Sequence, residues 1–367
     1  MNDPDRRASG RTLAVVGGGV IGLTCALAAA DAGRRVRVYD AGHQGRAAWV
    51  AAGMLGSLGE GHPGEDALLQ LSTASARRWP HLVARLGDPA VMAATDSLFV
   101  AMSSADAHHL GGLAEFVWAR QPRAHNDLRA VDNVEIRRLE PAVTSRVHSG
   151  YLATGEGAVD NRRLLDRLQH AVRHAGAEIV ERRVADLADL ADLPEDEVLV
   201  AAGLGSRELV SEVALHAAKG EVLRLRRTNW SVPPPTRVVR ARLHGRAVYL
   251  VPRADGIVVG ATQYEPYSET STAPEVGGVL DLLADATELM PALRTYELAE
   301  AGAGFRPCSP DGLPVIRRID ERVVVATGHG RNGILLAPYT ADRVMALLDG
   351  HEEPVPDMGM TNEGVRR

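Results

Sequence analysis

The first clear pattern along the chain is a short run of apolar, mostly β-branched residues, Thr12 to Val16, that stops at Gly17-Gly18-Gly19. An alanine-rich stretch then runs from Val20 to near Gly33, and a second apolar run, Val36 to Asp40, closes on an acidic residue. Strand, glycine turn, helix and strand within about 30 residues predict a βαβ unit with a right-handed crossover and a parallel sheet. Two later runs have the same character. Glu197 to Ala201 leads into Ala202-Gly203-Leu204-Gly205, and Arg322 to Ala326 leads into Thr327-Gly328-His329-Gly330-Arg331-Asn332-Gly333. Buried strands that end in glycine mark places where something approaches the backbone closely. Open α/β sheets bind ligands at that edge. The three strand ends therefore predict one nucleotide-binding domain assembled from separated pieces of chain.

The rest of the pattern differs. A helix is expected over Ala105 to Arg120. Antiparallel strands are expected over Glu221 to Arg226, Ala247 to Pro252 and Gly256 to Thr262, with Pro233-Pro234-Pro235 as a turn or rigid link. Their partial alternation predicts a sheet with one exposed face. Val276 to Met290 has helical spacing. The expected fold class is α/β plus α+β: a Rossmann-like domain with an interleaved second domain built on an antiparallel sheet. Residues 11–85, 146–220 and 303–350 are assigned to the nucleotide-binding domain. Residues 86–145 and 221–302 form the second domain, and 1–10 and 351–367 are expected to be flexible tails.

Length agrees with this division, since 367 residues suggest two or three domains at roughly 150 residues each. Composition mainly excludes. The net charge of −6 gives no electrostatic reason to expect nucleic acid. Of the 41 basic residues one is lysine, Lys219, and the other 40 are arginine. Schiff-base chemistry would have to use Lys219. A Walker-type phosphate loop is absent, because Lys219 precedes Gly220-Glu221. Two cysteines, Cys25 and Cys308, make neither a disulfide framework nor a structural zinc site, and no metal is expected. From the polar opening MNDPDRRASG no signal peptide is expected, and no apolar run reaches about 18 residues. A soluble, cytoplasmic protein is expected.

Gly17-x-Gly19-x-x-Gly22 is the dinucleotide fingerprint, with glycines for the tight turn, for pyrophosphate approach and for helix packing. The following helix start, with Val20 and Ile21, presents free N–H groups to phosphate. Asp40 is placed to accept from ribose hydroxyls. This geometry alone does not separate FAD from NAD.

The separation comes from an ordered set of motifs. Ala51-Ala52-Gly53-Met54-Leu55-Gly56, Lys219-Gly220-Glu221, Gly260-Ala261-Thr262, Arg306-Pro307-x-Ser309-Pro310-Asp311-Gly312 and Gly328 to Ile334 occur in this order. The set resembles the D-amino-acid oxidase superfamily, and within it the glycine oxidases of the thiamin pathway, over about residues 12–350. The resemblance implies a two-domain FAD-dependent amine oxidase. The cofactor would lie against Gly17, Gly19, Val20, Ile21, Gly22, Asp40, Ala52, Gly53, Met54, Val184, Ala202, Gly203, Gly330, Arg331, Asn332, Gly333 and Ile334. The isoalloxazine would lie near Ala52 to Met54 and Gly330 to Ile334. Arg306 matches the arginine that binds the substrate carboxylate, a task suited to its planar fork. Tyr249 and Arg331 match further substrate-site residues, with Gln263 and Met54 beside them. His329 is expected to be a loop residue near the flavin rather than a base.

The implied reaction is oxidation of glycine or another small amino acid, by hydride transfer from Cα to flavin N5. O2 would be reduced to H2O2, and the imine hydrolysed to an oxo acid and ammonia. No protein base is required. The alternative is a pathway-specific amine oxidase, or an acceptor-linked dehydrogenase of the same family, acting on a larger substrate. Three departures from the family pattern bear on this. Gly302 stands where a bulky aromatic is usual, and Gln263 where an apolar residue is usual, so a larger and more polar pocket is expected. Arg46 to Val50 lacks the usual hydroxyl residue. Cys308 is out of register with flavin-linking cysteines, so non-covalent FAD is expected. The resemblance also implies a homo-oligomer, with thiazole synthase as a functional partner.

Overall fold

In the computed structural model, which describes residues 10–351 apart from 43–45, 60, 122–123, 244, 267–268 and 270, Thr12–Val16 lies inside a six-stranded sheet. The order is Val315–Arg318, Val323–Thr327, Glu197–Val200, Thr12–Val16, Arg35–Asp40 and Glu178–Glu181. All neighbours are parallel except the edge pair Val315–Arg318 and Val323–Thr327. The three glycine-ended strands are therefore adjacent.

This sheet is buried on both faces, as its uninterrupted apolar runs require. Leu13 and Val15 pack with Leu23, Leu165, Leu168, Leu335 and Val344 from helices Val20–Asp31, Asn161–His174 and Gly333–Leu348. Ala14 and Val16 point the other way, against Tyr39, Val198, Val200 and Leu209. Each fully buried Leu or Val contributes about 1.5–3 kcal/mol. No helix among the described residues is long and apolar enough to cross a membrane.

The second sheet has eight strands, in the order Glu297–Cys308, His216–Arg226, Gly256–Gly260, Arg246–Arg253, Val238–Leu243, Ser97–Ala101, Ser149–Ala153 and Leu128–Asp132. It is mixed rather than wholly antiparallel, because Val238–Leu243 runs parallel to Ser97–Ala101. It also lacks the exposed face expected from the partial alternation. Ser97–Ala101 and Gly256–Gly260 are buried throughout. Helix Val276–Leu289 covers one face through Leu282, Ala286 and Leu289, and the first domain stands against the other.

The sheets do not divide where the segment boundaries were drawn. Ser149–Ala153, His216–Gly220 and Ala303–Cys308, assigned by sequence to the nucleotide-binding domain, all hydrogen bond in the second sheet. Strands His216–Arg226 and Glu297–Cys308 continue as one long pair up to the first domain, so the boundary falls within strands. Of the ends assigned as flexible tails, 1–10 and 351–367, all but residues 10 and 351 lie outside the described residues.

A polar junction at Asn161 joins the two domains. Asn161 is fully buried at the start of helix Asn161–His174. Its Nδ2 donates to the carbonyl oxygens of Ala48 (2.7 Å) and Trp49 (2.8 Å) in the short helix Ala47–Val50. Its Oδ1 accepts from Arg224 (3.2 Å) and Arg253 (3.1 Å), both on the second sheet. Burial, and then the neighbouring Arg162 and Arg253, push the Arg224 guanidinium down to about 10. Removing one partner from such a network leaves desolvated charge uncompensated. Asn161→Leu is expected to lower unfolding stability by about 2–4 kcal/mol, read as an earlier chemical-denaturation midpoint. An unchanged midpoint would contradict the role given to Asn161.

Candidate active site

The turn after Thr12–Val16 is built by steric need. Gly17 has φ +122°, and a Cβ there would stand 2.3 Å from the Ala201 carbonyl oxygen on the adjacent strand. Its N–H donates to Tyr39 O at 2.9 Å, tying the turn to the strand that carries Asp40. Gly22 brings the helix down onto the turn, since a Cβ there would meet Gly17 O at 1.9 Å. Gly18, an unspecified position of the fingerprint, matters equally: a Cβ there would fall 2.4 Å from the Asp40 carboxyl carbon. Gly19 differs from these, with no protein atom within 4 Å of an added Cβ. The helix starting at Val20 has no side-chain cap, so its first N–H groups open outward over Gly19.

These residues line a cavity of about 1200 Å³ that runs from the glycine turn across to the second sheet. At the turn end its wall carries Gly17, Gly19, Val20, Ile21, Asp40, Val184, Ala202 and Gly203. Further along it carries Ala52, Gly53, Met54, Gly330, Arg331, Asn332, Gly333 and Ile334. Of the residues singled out by sequence for the cofactor, Gly22 alone is absent from the wall, as suits a packing glycine. Asp40 already accepts from the Gly42 N–H (3.1 Å) and is ion-paired with Arg46, which sequence reasoning did not single out. Arg46 lines the same cavity, and its buried Nε and Nη1 have no hydrogen-bond partner. Buried guanidinium N–H groups want an acceptor. Uncapped helix N–H groups, an open backbone at Gly19 and unsatisfied Arg46 donors together fit a dinucleotide pyrophosphate.

At the far end, the second sheet presents Arg306, Tyr249 and Gln263 to the cavity. Arg306 lies flat over Gly220, where a Cβ would be 2.3–2.5 Å from its guanidinium atoms. Its Nη1 and Nη2 each donate to Thr262 O at 3.3 Å, and Nη1 to Lys219 O at 3.5 Å. No carboxylate among the described residues pairs with it. Tyr249 lies in the same way over Gly260, its ring 2.5 Å from where a Cβ would stand.

The Lys219-Gly220-Glu221 motif now has a physical account. Lys219 and Tyr264 exchange backbone hydrogen bonds of 2.9 and 3.2 Å. The Lys219 ammonium is buried on Ala273 O (2.8 Å) and faces Glu275 (3.5 Å), outside the cavity wall. The buried Glu221 accepts from Tyr264 Oη (2.7 Å), Glu275 N (2.6 Å) and Thr262 Oγ1 (3.2 Å). Burial, and then the Glu221 hydrogen bond, push the Tyr264 phenol up. The motif thus fixes the 262–275 segment that supplies Thr262 O and Gln263.

Other sequence-selected residues have different surroundings. Arg331 is exposed at the cavity wall and ion-paired with Glu65 at 2.7 Å. Gly302 is not in the wall; a Cβ there would face Glu300 (3.5 Å) and Val50 (3.9 Å). The expectation that its small size enlarges the pocket is therefore corrected, and Gly304, two residues on, is the wall residue. His329 is buried, and burial pushes its imidazole down to about 3. The Thr340 hydroxyl donates to Leu336 O, so His329 Nε2 carries the hydrogen of their 2.9 Å contact. The Cys308 thiol donates to Arg306 O at 3.7 Å and lies outside the wall of the main cavity.

A parallel sheet with this glycine edge, continuous through one cavity with a second sheet, is the architecture of a two-domain dinucleotide-dependent oxidoreductase. Comparison with known proteins gives the family. The model of the DAO family, FAD dependent oxidoreductase, matches residues 12–347, and the chain belongs to that family. It is 28% identical to a glycine oxidase of Bacillus licheniformis, over 92% of each protein. It is 30% identical to the bifunctional protein ThiO/ThiG of Synechocystis sp., over 91% of this chain and 51% of that protein. Its fold matches the crystal structure of glycine oxidase from Geobacillus kaustophilus with TM-score 0.81 and 27% identity, over 94% of this chain and 96% of that one. The cofactor is FAD.

The open space over Gly19 yields a direct test of the cradle. Gly19→Ala meets no protein atom and keeps a permitted backbone, with φ −82°. It is expected to leave the stability of the apoprotein unchanged and to weaken FAD binding at least about tenfold, measured by fluorescence titration. Unchanged FAD affinity would contradict the placement of the pyrophosphate.

Proposed function

We propose that this chain is an oxidase of glycine or another small amino acid, with O2 as the electron acceptor. The observation that carries this is Arg306, a guanidinium in the cavity wall that no described carboxylate neutralises. Such a fork is completed by a carboxylate from outside the protein. The glycine oxidases among its relatives support the same reading.

Gly17 to Ile21, Asp40, Arg46, Val184, Ala202 and Gly203 would hold the adenosine diphosphate half of FAD. Ala52 to Met54 and Gly330 to Ile334 would hold the flavin half, with the start of helix Gly333–Leu348 supplying N–H groups to negative charge. Bound FAD supplies the two-electron acceptor that takes hydrogen from the substrate Cα and returns the electrons to O2 as H2O2. The Cys308 thiol, bonded to Arg306 O and outside the main cavity wall, supports non-covalent attachment.

Arg306 orients the substrate, its carboxylate fixed so that the adjacent carbon lies in the cavity rather than against the wall. Tyr249, on the neighbouring strand pair, closes the side of that position and offers a hydroxyl. His329 does not serve as an acid or base near neutrality, since burial keeps its imidazole uncharged and its Nε2–H is given to Thr340. With His329 unable to take a proton, the substrate would be oxidised from its neutral-amine form, the ammonium proton being given up to solvent beforehand. The product imine leaves to water, giving an oxo acid and ammonia. The ThiO/ThiG relatives, of which this chain spans about half, support a thiazole synthase as the functional partner.

The test is peroxide release by the FAD-loaded enzyme with glycine, sarcosine and D-alanine. Arg306→Ala is expected to keep the flavin spectrum and lose about 10²–10³-fold in kcat/KM. Gly220→Ala, which displaces the guanidinium without removing it, should fall in the same direction. Wild-type turnover in Arg306→Ala would overturn this reading.

A further inference from the structure

Glu156 is buried and stands outside the cavity wall, yet its hydrogen bonds run to one stretch of that wall. The stretch begins as a backbone ladder. Val159 N donates to Gly53 O (2.8 Å), Leu55 N donates to Gly157 O (2.9 Å), and Met54 bridges to Ala158. Past Leu55 a side chain replaces the ladder. The Glu156 carboxylate accepts from Leu58 N, from Gly59 N at 3.1 Å and from Ser57 Oγ at 3.1 Å. The Glu156 backbone is itself held, since Ser97 Oγ donates to its carbonyl oxygen and Gly155 N donates to Asp96 Oδ1 at 3.0 Å. Burial pushes the Glu156 carboxyl up, against the opposing pull of the Leu58 and Gly59 N–H groups, Arg240 and Ser57. A carboxylate in so dry a place is costly unless hydrogen bonds occupy its oxygens.

The residues so held form one end of the cavity. Leu58 packs with Leu69, Leu110 and Val117, while Gly56 and Gly59 are in the wall. Gly59 lies against the Phe99 ring, where a Cβ would stand 1.9 Å from Cζ. Phe99 is also in the wall, with Leu110 and Leu113 from helix Ser104–Arg120. This apolar end is remote from Arg306. Phe99 pairs in register with Arg240, Arg240 with Tyr249, Tyr249 with Gly260, and Gly260 with Val222 on the strand of Gly220. Phe99 is thus four strands from the strand beneath the Arg306 guanidinium, about 19 Å at ordinary spacing. Glycine held by its carboxylate at Arg306 extends only about 4 Å and does not reach this end. A substituent of several more carbons, directed past Tyr249, meets Gly59 and Phe99.

Taking the carboxylate of the proposed substrate as bound at Arg306, we infer that Glu156 is a specificity-determining residue that acts through Gly59. It fixes the end wall of the cavity and so sets how long an apolar substituent the amino-acid substrate can carry. The inference rests on the oxidase reading and deepens it. Glu156 touches neither substrate nor cofactor; it is a positioning residue. Its two acceptor oxygens matter more than its size. In Glu156→Gln the amide oxygen still takes Leu58 N and Ser57 Oγ, but the amide NH2 then faces the Gly59 N–H, donor against donor. Gly59 N is left with its longer contact of 3.4 Å. The ladder from Gly53 to Leu55, beside the flavin half of the cofactor, keeps its own hydrogen bonds. The effect is therefore confined to the far end of the cavity.

The experiment gives the FAD-loaded enzyme a racemic straight-chain series, from alanine through norleucine and 2-aminooctanoate to 2-aminodecanoate, with glycine alongside. kcat/KM is read from peroxide release, and the reduction step from anaerobic flavin bleaching. In the wild type, kcat/KM is expected to drop at least about tenfold at the chain length that meets the wall. In Glu156→Gln that drop should shrink to about twofold or less, with FAD affinity and glycine turnover within about twofold of wild type. Gly59→Ala, which pushes the wall off Phe99 and leaves Glu156 intact, should move the drop to a shorter chain. The same drop at the same length in both variants would overturn the inference. So would a series without a drop, turnover confined to glycine, or an equal loss on every substrate in Glu156→Gln, each leaving the oxidase reading standing. Failure of every compound to bleach a bound flavin would overturn the oxidase reading and this inference together.

Discussion

The site depends on one cation held in place by backbone. Arg306 rests on Gly220 and points its fork with the help of two carbonyl oxygens, Thr262 and Lys219, rather than a carboxylate. Carbonyl oxygens orient a guanidinium without discharging it, so its affinity for an external carboxylate is retained. The cost is that the surroundings must be rigid. Glu221 provides that rigidity by pinning Thr262, Tyr264 and Glu275, and the Lys219 ammonium pins Ala273. The sole lysine of the chain is thus consumed in building the cation site and takes no part in covalent chemistry.

The same logic of close approach and committed polar groups runs through the rest of the molecule. Tyr249 reaches its position because Gly260 has no side chain. Asn161 lets helix Ala47–Val50, which leads directly into the Ala52 to Met54 wall, pack between the domains over the half-buried Arg224 and the buried Arg253. Helix Gly333–Leu348 brings Asn332 to Ile334 to the cavity and also carries Leu335 and Val344 into the core of the first sheet. Packing and positioning are done by the same elements, so loss of the junction would be felt at both ends of the cavity.

Much of this was legible in the chain because it is locally determined. A β-branched run stopped by three glycines leaves few structures other than a tight turn into a helix, and the strand is found where the pattern put it. Helix Ser104–Arg120 was equally visible, since Ser103 caps it and accepts from Asp106 N. What was not legible depends on remote partners. Nothing in Ser149–Ala153 says which sheet it joins, because pairing is settled by chain far away in sequence. The Arg331 position was selected by motif order, yet its Glu65 partner lies 266 residues away. Gly302 was judged by its departure from the family pattern, and only the structure shows its open side facing Glu300 and Val50.

The central claim is that Arg306 binds a carboxylate beside the flavin. The most direct measurement uses glycolate, a carboxylate with no amine to oxidise, titrated into the FAD-loaded enzyme while the visible flavin band is followed. The account predicts a saturable perturbation in the wild type that weakens at least about 100-fold in Arg306→Gln, with the flavin still bound. Equal glycolate affinity in the two proteins would contradict it.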